Sequence, residues 1–274
     1  PGAEPEPLRV EVRAAKTERA AAALEVRPVL PEREIARFSA RVDELLRGAD
    51  HPLFARHLLS LRSMVESEWA RAVVVSARQT LPAQEVREFT ARILAGLNGE
   101  AGRWEAYWRD GLPLCLAFLS PTDGTLQRYS VTLPKGWDPA MARDDQALHP
   151  LWVELHGAGH PSPLSGLAAS LGGGQANLHG YRDWRTHASR ARTGYHLMPH
   201  GRGNLGYRGV AEADVWEAME DFALSFRADP DRQYLYGFSM GGGGTWRLAT
   251  RTPDRWAAVA IYAPALIWRG APPW

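Results

Sequence analysis

The chain has 274 residues and a mass of 30.3 kDa, with 45% hydrophobic and 23% charged residues. This is a globular composition, and 26 glycines with 20 prolines are too few for a disordered or fibrous chain. Lys and Arg total 32 against 31 Asp and Glu, a near balance that argues against nucleic acid as a partner. A single cysteine, Cys115, excludes an internal disulfide and a cysteine-built zinc site.

The apolar runs of the sequence are too short to span a bilayer, so no membrane span is expected. No signal-peptide pattern is present. Because the chain starts at Pro1 rather than at a methionine, a removed leader would favour a secreted or periplasmic protein, and a cytoplasmic one is expected otherwise.

Residues 1–110 have the residue pattern of helices. Apolar side chains recur every three or four positions in three stretches between residues 35 and 97, and prolines near two of the starts fit helix boundaries. His51 and His57 show no ligand partner at a metal spacing, and we interpret them as surface or capping residues. The sequence therefore predicts an N-terminal helical region, an appendage without a cluster of catalytic residue types.

From residue 111 to 274 the pattern changes to strands, and then to strands alternating with helices. An Asp-Gly pair at 123–124 separates two strand-like runs and predicts a hairpin. Strand–helix alternation follows, and it predicts an α/β fold with a parallel sheet covered on both faces. The functional crevice of such a sheet lies at the carboxyl ends of its strands. The predicted strands are 151–157, 194–199, 233–238 and 256–262, and the predicted helices are 163–171, 211–227 and 241–251.

The segment Gly237-Phe238-Ser239-Met240-Gly241 fits the pattern G-x-S-x-G between a predicted strand and a predicted helix. A nucleophile on such a sharp turn has a strained backbone, so the residues two positions before and after it must be small. The helix N-terminus would also favour negative charge that develops beside the serine. This context predicts Ser239 as a nucleophile; the alternative is a glycine-rich turn with an incidental serine.

A second segment, LHGAG at 155–159, ends the first strand of the alternating series. An oxyanion hole needs two backbone N–H groups, one of them usually from the residue after the nucleophile, here Met240. We expect Ala158 to supply the other N–H, with Gly159 as the alternative donor. Four residues are expected to shape the site without reacting: His156, Gly157, Gly237 and Gly241.

The segments LHGAG, PHGRGNLGYRG and DPDRQYLYGFSMGGGGTW, in this order and spacing, resemble α/β-hydrolase serine esterases. The resemblance is to the prolyl-oligopeptidase-like, feruloyl-esterase and polyhydroxybutyrate-depolymerase groups, and it runs from about residue 113 to the end. It implies an α/β-hydrolase fold, a Ser-Asp-His triad and hydrolysis of small-molecule or polymer-borne carboxylic esters through an acyl-enzyme. No cofactor is implied.

In that family the triad acid and histidine follow the nucleophile along the chain. All nine histidines of this sequence precede Ser239, and Asp254 is the one acid after it, in a position suited to capping. We therefore expect the acid and the base from beyond Trp274, a C-terminally incomplete sheet with an open apolar edge, and poor solubility and activity of residues 1–274 alone. An upstream base, His160 or His200, is the alternative.

Other interpretations of the sequence remain open or are disfavoured. A prolyl-oligopeptidase-like peptidase would use the same serine turn, but residues 1–110 are too short and too helical for its propeller. A non-catalytic binding or scaffold protein is a further alternative. The G-x-G-x-x-G at 201–206 does not open a helix at once, which disfavours a dinucleotide site, and the histidine spacing disfavours a metal. Most tryptophans are expected in the core, including Trp152, Trp246 and Trp256.

Overall fold

The computed structural model describes residues 32–74, 83–158, 171 and 192–265, which form helices around a six-stranded sheet. The main helices are α1 (Glu32–Arg47), α2 (Pro52–Val74), α3 (Ala83–Leu97), α4 (Val210–Ser225) and α5 (Met240–Arg251). The strands are β1 (Leu114–Leu119), β2 (Leu126–Thr132), β3 (His149–Leu155), β4 (Tyr195–Pro199), β5 (Ala228–Phe238) and β6 (Ala258–Tyr262). Among the described helices, none has the length and hydrophobicity to cross a membrane.

The strand order is β1-β2-β4-β3-β5-β6, with antiparallel pairing from β1 through β4 and parallel pairing from β4 through β6. The predicted α/β class is confirmed, and so is the hairpin, whose turn contains Gly124 at a φ of +70°. The sheet is mixed rather than wholly parallel because this hairpin pairs with β4. The structure is therefore an α/β fold with a mixed, mostly parallel sheet, preceded by a helical region.

The register brings the carboxyl ends of the central strands to one edge. Leu155 at the end of β3 pairs with Gly237 in β5, and Phe238 pairs with Tyr262 in β6. Chain segments that leave these three strands must therefore start next to one another. This register places the LHGA and GFSM segments side by side.

Helices α4 and α5 cover one face of the sheet and are joined to each other by an ion pair between Arg247 and Glu212 at 2.8 Å. On this face Tyr195 of β4 packs edge-on against Phe222 of α4, with ring centroids 5.1 Å apart. These buried rings belong to the same hydrophobic core as the apolar faces of α1, α2 and α3. The N-terminal helices thus share their core with the sheet.

The tryptophan prediction is only partly right. Trp256 is buried, and Trp152 is half-buried and stacks on Tyr234 with a centroid distance of 4.2 Å. Trp246 is 51% exposed, so its expected place in the core is wrong. It lies on α5 beside Thr245, which is buried, and the helix turns Trp246 toward solvent.

Helix α2 covers the outer edge of β1. His57 Nδ1 accepts a hydrogen bond from the Cys115 N–H at 2.7 Å, and Ser60 Oγ accepts one from the Ala117 N–H at 2.9 Å. Arg56 donates to the Ala117 carbonyl oxygen at 2.7 Å. Side chains of a helix therefore bind main-chain groups that an edge strand would leave open to another chain.

The two N-terminal histidines differ in their environment. His51 Nδ1 accepts from the Leu53 N–H at 3.2 Å at the start of α2, which confirms a capping role. His57 is fully buried, so a surface position for it is wrong. Its Nε2 lies 2.9 Å from the Tyr107 hydroxyl, which in turn donates to the Ala101 carbonyl at 2.7 Å. Since Nδ1 accepts, Nε2 carries the proton, and burial lowers the pKa of His57 to about 3.

This buried neutral histidine predicts an acid-sensitive fold. Between pH 6.5 and about 3 the unfolded chain binds a proton at His57 that the folded chain excludes, so stability falls as the pH is lowered, by about 1.4 kcal/mol per pH unit at most. His57→Gln has an acceptor for Cys115 and a donor for Tyr107 without titrating. We expect urea unfolding from pH 7 to pH 4.5 to show a shallower loss of stability in this variant. Leu59→Ala, at an exposed position of the same helix, should show the wild-type dependence of unfolding free energy on pH. If His57→Gln also shows the wild-type dependence, His57 is not the cause of the acid sensitivity.

Candidate active site

Ser239 joins β5 to α5 and has the strained backbone that a sharp strand-to-helix turn requires. Its φ is 54° and its ψ is −115°, in a region that residues other than glycine rarely occupy. Its N–H donates to the Tyr262 carbonyl at 3.0 Å, and its carbonyl accepts from the N–H groups of Gly243 at 3.0 Å and Ala265 at 2.9 Å. Backbone hydrogen bonds from α5 and from the end of β6 thus fix the serine.

The two glycines of the G-x-S-x-G pattern are required by close backbone contacts. A Cβ on Gly237 would lie 2.4 Å from the carbonyl oxygen of Gly241. A Cβ on Gly241 would lie 1.9 Å from the oxygen of Leu155 and 2.7 Å from that of His156. The first turn of α5 therefore packs directly on the main chain at the end of β3, which only glycine allows.

The end of β3 lies beside the serine. A Cβ built on Gly157 would be 3.8 Å from Cβ of Ser239. Ala158 follows Gly157 directly and is half-buried, and Met240 is buried at the start of α5. The structure thus brings Ser239 and the segment ending at Ala158 together, while Gly159 and His160 lie outside the described residues.

The His156 ring lies between two backbone carbonyl groups. Its Nδ1 is 2.9 Å from the Gly157 oxygen and its Nε2 is 2.8 Å from the His200 oxygen. This arrangement suits orientation of the loops more than proton transfer, because both ring nitrogens face main-chain acceptors. The His200 ring stacks at a centroid distance of 6.0 Å from it, and burial holds the pKa of His200 well below its usual value.

The loop after β4 is held by Arg202, a residue that the sequence patterns did not point to as part of the site. Its guanidinium donates to Ser120 Oγ at 2.9 Å and to Asp123 Oδ2 at 2.5 Å in the β1–β2 turn. It also lies 3.3 Å from Asp214 of α4, whose other oxygen accepts from the Gly201 N–H at 2.7 Å. Burial raises the pKa of Asp214 to about 6, and the Gly201 N–H and the Arg202 charge oppose that rise. Arg202 thereby ties the loop to the hairpin and to α4.

The G-x-G-x-x-G at 201–206 forms part of this loop, and α4 begins only at Val210. Gly201, Gly203 and Gly206 all have positive φ, as do Arg202 and Tyr207 at 55° each. The segment is therefore a compact left-handed loop beside the serine rather than the opening of a helix. Sequence reasoning found the loop but missed Arg202 and Tyr207, whose partners lie on distant parts of the chain.

Comparison with known proteins gives matches among solved structures. No family model matches the sequence, and no curated protein matches it. A fluorophosphonate-binding serine hydrolase of Staphylococcus aureus is 22% identical over 56% of this chain and 57% of its own, with a TM-score of 0.40. A ferulic acid esterase is 20% identical over 59% of this chain and 61% of its own, with a TM-score of 0.42.

An S-formylglutathione hydrolase of the same bacterium is 22% identical, with coverages of 53% and 54% and a TM-score of 0.38. In each of these three comparisons the match spans less than two thirds of the other protein. The function therefore has to be inferred from the site itself.

The close contact of α5 with β3 predicts that Gly241→Ala is strongly destabilising. The new methyl group must displace two carbonyl groups at the end of β3, and we expect a loss of about 3 kcal/mol of unfolding free energy or failure to fold. Gly48→Ala is the matched control, since the nearest atom to its Cβ would be 3.9 Å away. Urea denaturation of both variants checks this, and equal stability of the two would show that the helix does not pack as described.

Proposed function

We propose that this protein is a serine hydrolase that cleaves carboxylic esters, with Ser239 as the nucleophile. The observation that carries the proposal is the strained Ser239, held between β5 and α5 at the carboxyl edge of the sheet. In this mechanism the serine oxygen attacks the ester carbonyl and its proton passes to a base. The alcohol then leaves with a proton, and water hydrolyses the acyl-enzyme to release the acid.

The N–H groups of Met240 and Ala158 are proposed to stabilise the oxyanion of this reaction, with Gly159 as the alternative to Ala158. Met240 is the first residue of α5, where N–H groups lack helical partners and the helix dipole favours negative charge. The approach of Gly157 to Ser239 supports a donor from the end of β3. His156, through its contact with the Gly157 carbonyl, would fix the peptide that carries the Ala158 N–H, since the two groups of a trans peptide point in opposite directions.

The base that activates Ser239 is proposed to be a residue other than His156. The main-chain contacts of both His156 nitrogens support a base from elsewhere. The substrate is proposed to be a small-molecule or polymer-borne ester, and the reaction needs no metal or cofactor.

The nucleophile is tested on the full-length gene product with a fluorophosphonate probe and 4-nitrophenyl acetate. We expect mass spectrometry to find the phosphonyl group on Ser239, and Ser239→Ala to lose labelling and at least roughly 10⁴-fold in kcat. Ser67→Ala, which changes a serine of α2 whose hydroxyl donates to Met64, should keep both. Labelling at another residue, or an active Ser239→Ala variant, would refute the proposal.

A further inference from the structure

Tyr207 occupies an unusual position in the loop after β4. It is fully buried, yet its φ is 55°, a left-handed conformation that is costly for a bulky residue. Such a conformation persists only where surrounding contacts impose it. The contacts of this side chain therefore indicate what the conformation achieves.

The Tyr207 ring is in contact with the loop that carries it and with α5. A Cβ on Gly201 would lie 2.4 Å from Cε1 of the ring, and a Cβ on Gly244 would lie 2.6 Å from Cδ2. Glycine at both places lets the ring fit between the loop and α5. The ring thus sets the distance between these two elements, because a packed aromatic ring cannot be compressed.

The hydroxyl of Tyr207 reaches a third element, the end of β3. It donates a hydrogen bond to the His156 carbonyl oxygen at 3.3 Å, and the ring packs edge-on against the His156 imidazole at a centroid distance of 5.6 Å. The same carbonyl would lie 2.7 Å from a Cβ on Gly241, so it faces the first turn of α5. Burial raises the pKa of Tyr207 well above its usual value, which keeps the phenol protonated and able to donate.

We propose that Tyr207 is a positioning residue for ester hydrolysis, which fixes the end of β3 relative to the first turn of α5. The inference rests on the proposed function, because these two segments would supply the Ala158 and Met240 N–H groups of the oxyanion hole. Through the hydroxyl and the ring, one side chain holds both donors at a set separation. Catalysis by such donors depends steeply on their placement, so a small shift weakens transition-state binding more than substrate binding.

The test compares Tyr207→Phe with Tyr195→Phe in the full-length gene product. Tyr195, the first residue of β4, is also buried, and its hydroxyl donates to Gln146 Oε1 at 3.3 Å. It lies at the amino end of its strand and serves as the matched control. Both variants keep the aromatic ring and lose one hydroxyl. We expect Tyr207→Phe to lower kcat on 4-nitrophenyl acetate roughly tenfold with KM within about twofold, and Tyr195→Phe to keep the wild-type kcat.

A transition-state analogue separates positioning from a general loss of structure. The serine oxygen adds to the carbonyl carbon of a trifluoromethyl ketone, and the ketone oxygen becomes an oxyanion. The affinity of this inhibitor should therefore fall in Tyr207→Phe by about the same factor as kcat/KM. Wild-type kcat and analogue affinity in Tyr207→Phe, or an equal loss of kcat in the control variant, would overturn the proposal. If a fluorophosphonate does not label Ser239 in the wild-type protein, the proposed serine hydrolase function is refuted, and this inference with it.

Discussion

The site depends on the direct contact between the first turn of α5 and the last residues of β3. Gly241 lies so close to the Leu155 carbonyl that any side chain would overlap it. This contact brings the N-terminus of α5 to the carboxyl edge of the sheet and forces the chain to turn sharply at Ser239. The strain of that turn is of the order of 1–3 kcal/mol, and hydrogen bonds to Tyr262 and Ala265 offset it.

The two faces of the central strands bury different kinds of side chain. One face of the sheet packs its apolar side chains under α4 and α5, while the other buries Glu154, His196 and Tyr236 from three adjacent strands. The Glu154 carboxylate lies 3.0 Å from His196 Nε2 and 3.2 Å from the Tyr236 hydroxyl. Contacts between these buried polar groups favour a single strand register, because a shift by one residue would separate them.

The sequence was sufficient for the fold and the serine turn because their signals are local. Strand–helix alternation and glycines two positions either side of Ser239 are dictated by backbone sterics within a few residues. The roles of Arg202, Tyr207 and His57 could not be found in this way, since each acts on groups far away in the chain. The sequence alone does not distinguish the buried His57 from an exposed histidine, because the strand that it contacts is far away in the chain. The error for Trp246 is the opposite one, since this apolar residue was expected in the core and is exposed.

The helical region is coupled to the site through the sheet. Helix α2 supplies acceptors for two N–H groups of β1. Arg56 also pairs with Asp221 of α4 at 2.5 Å, so α2 contacts both the hairpin and a helix that covers the sheet. The turn of that hairpin carries Asp123, which binds Arg202 of the loop beside Ser239. A continuous series of contacts therefore runs from α2 to the loop that holds Tyr207. The helices belong to the structure that positions the site, because without them the edge of β1 and its hairpin would lose their main-chain partners.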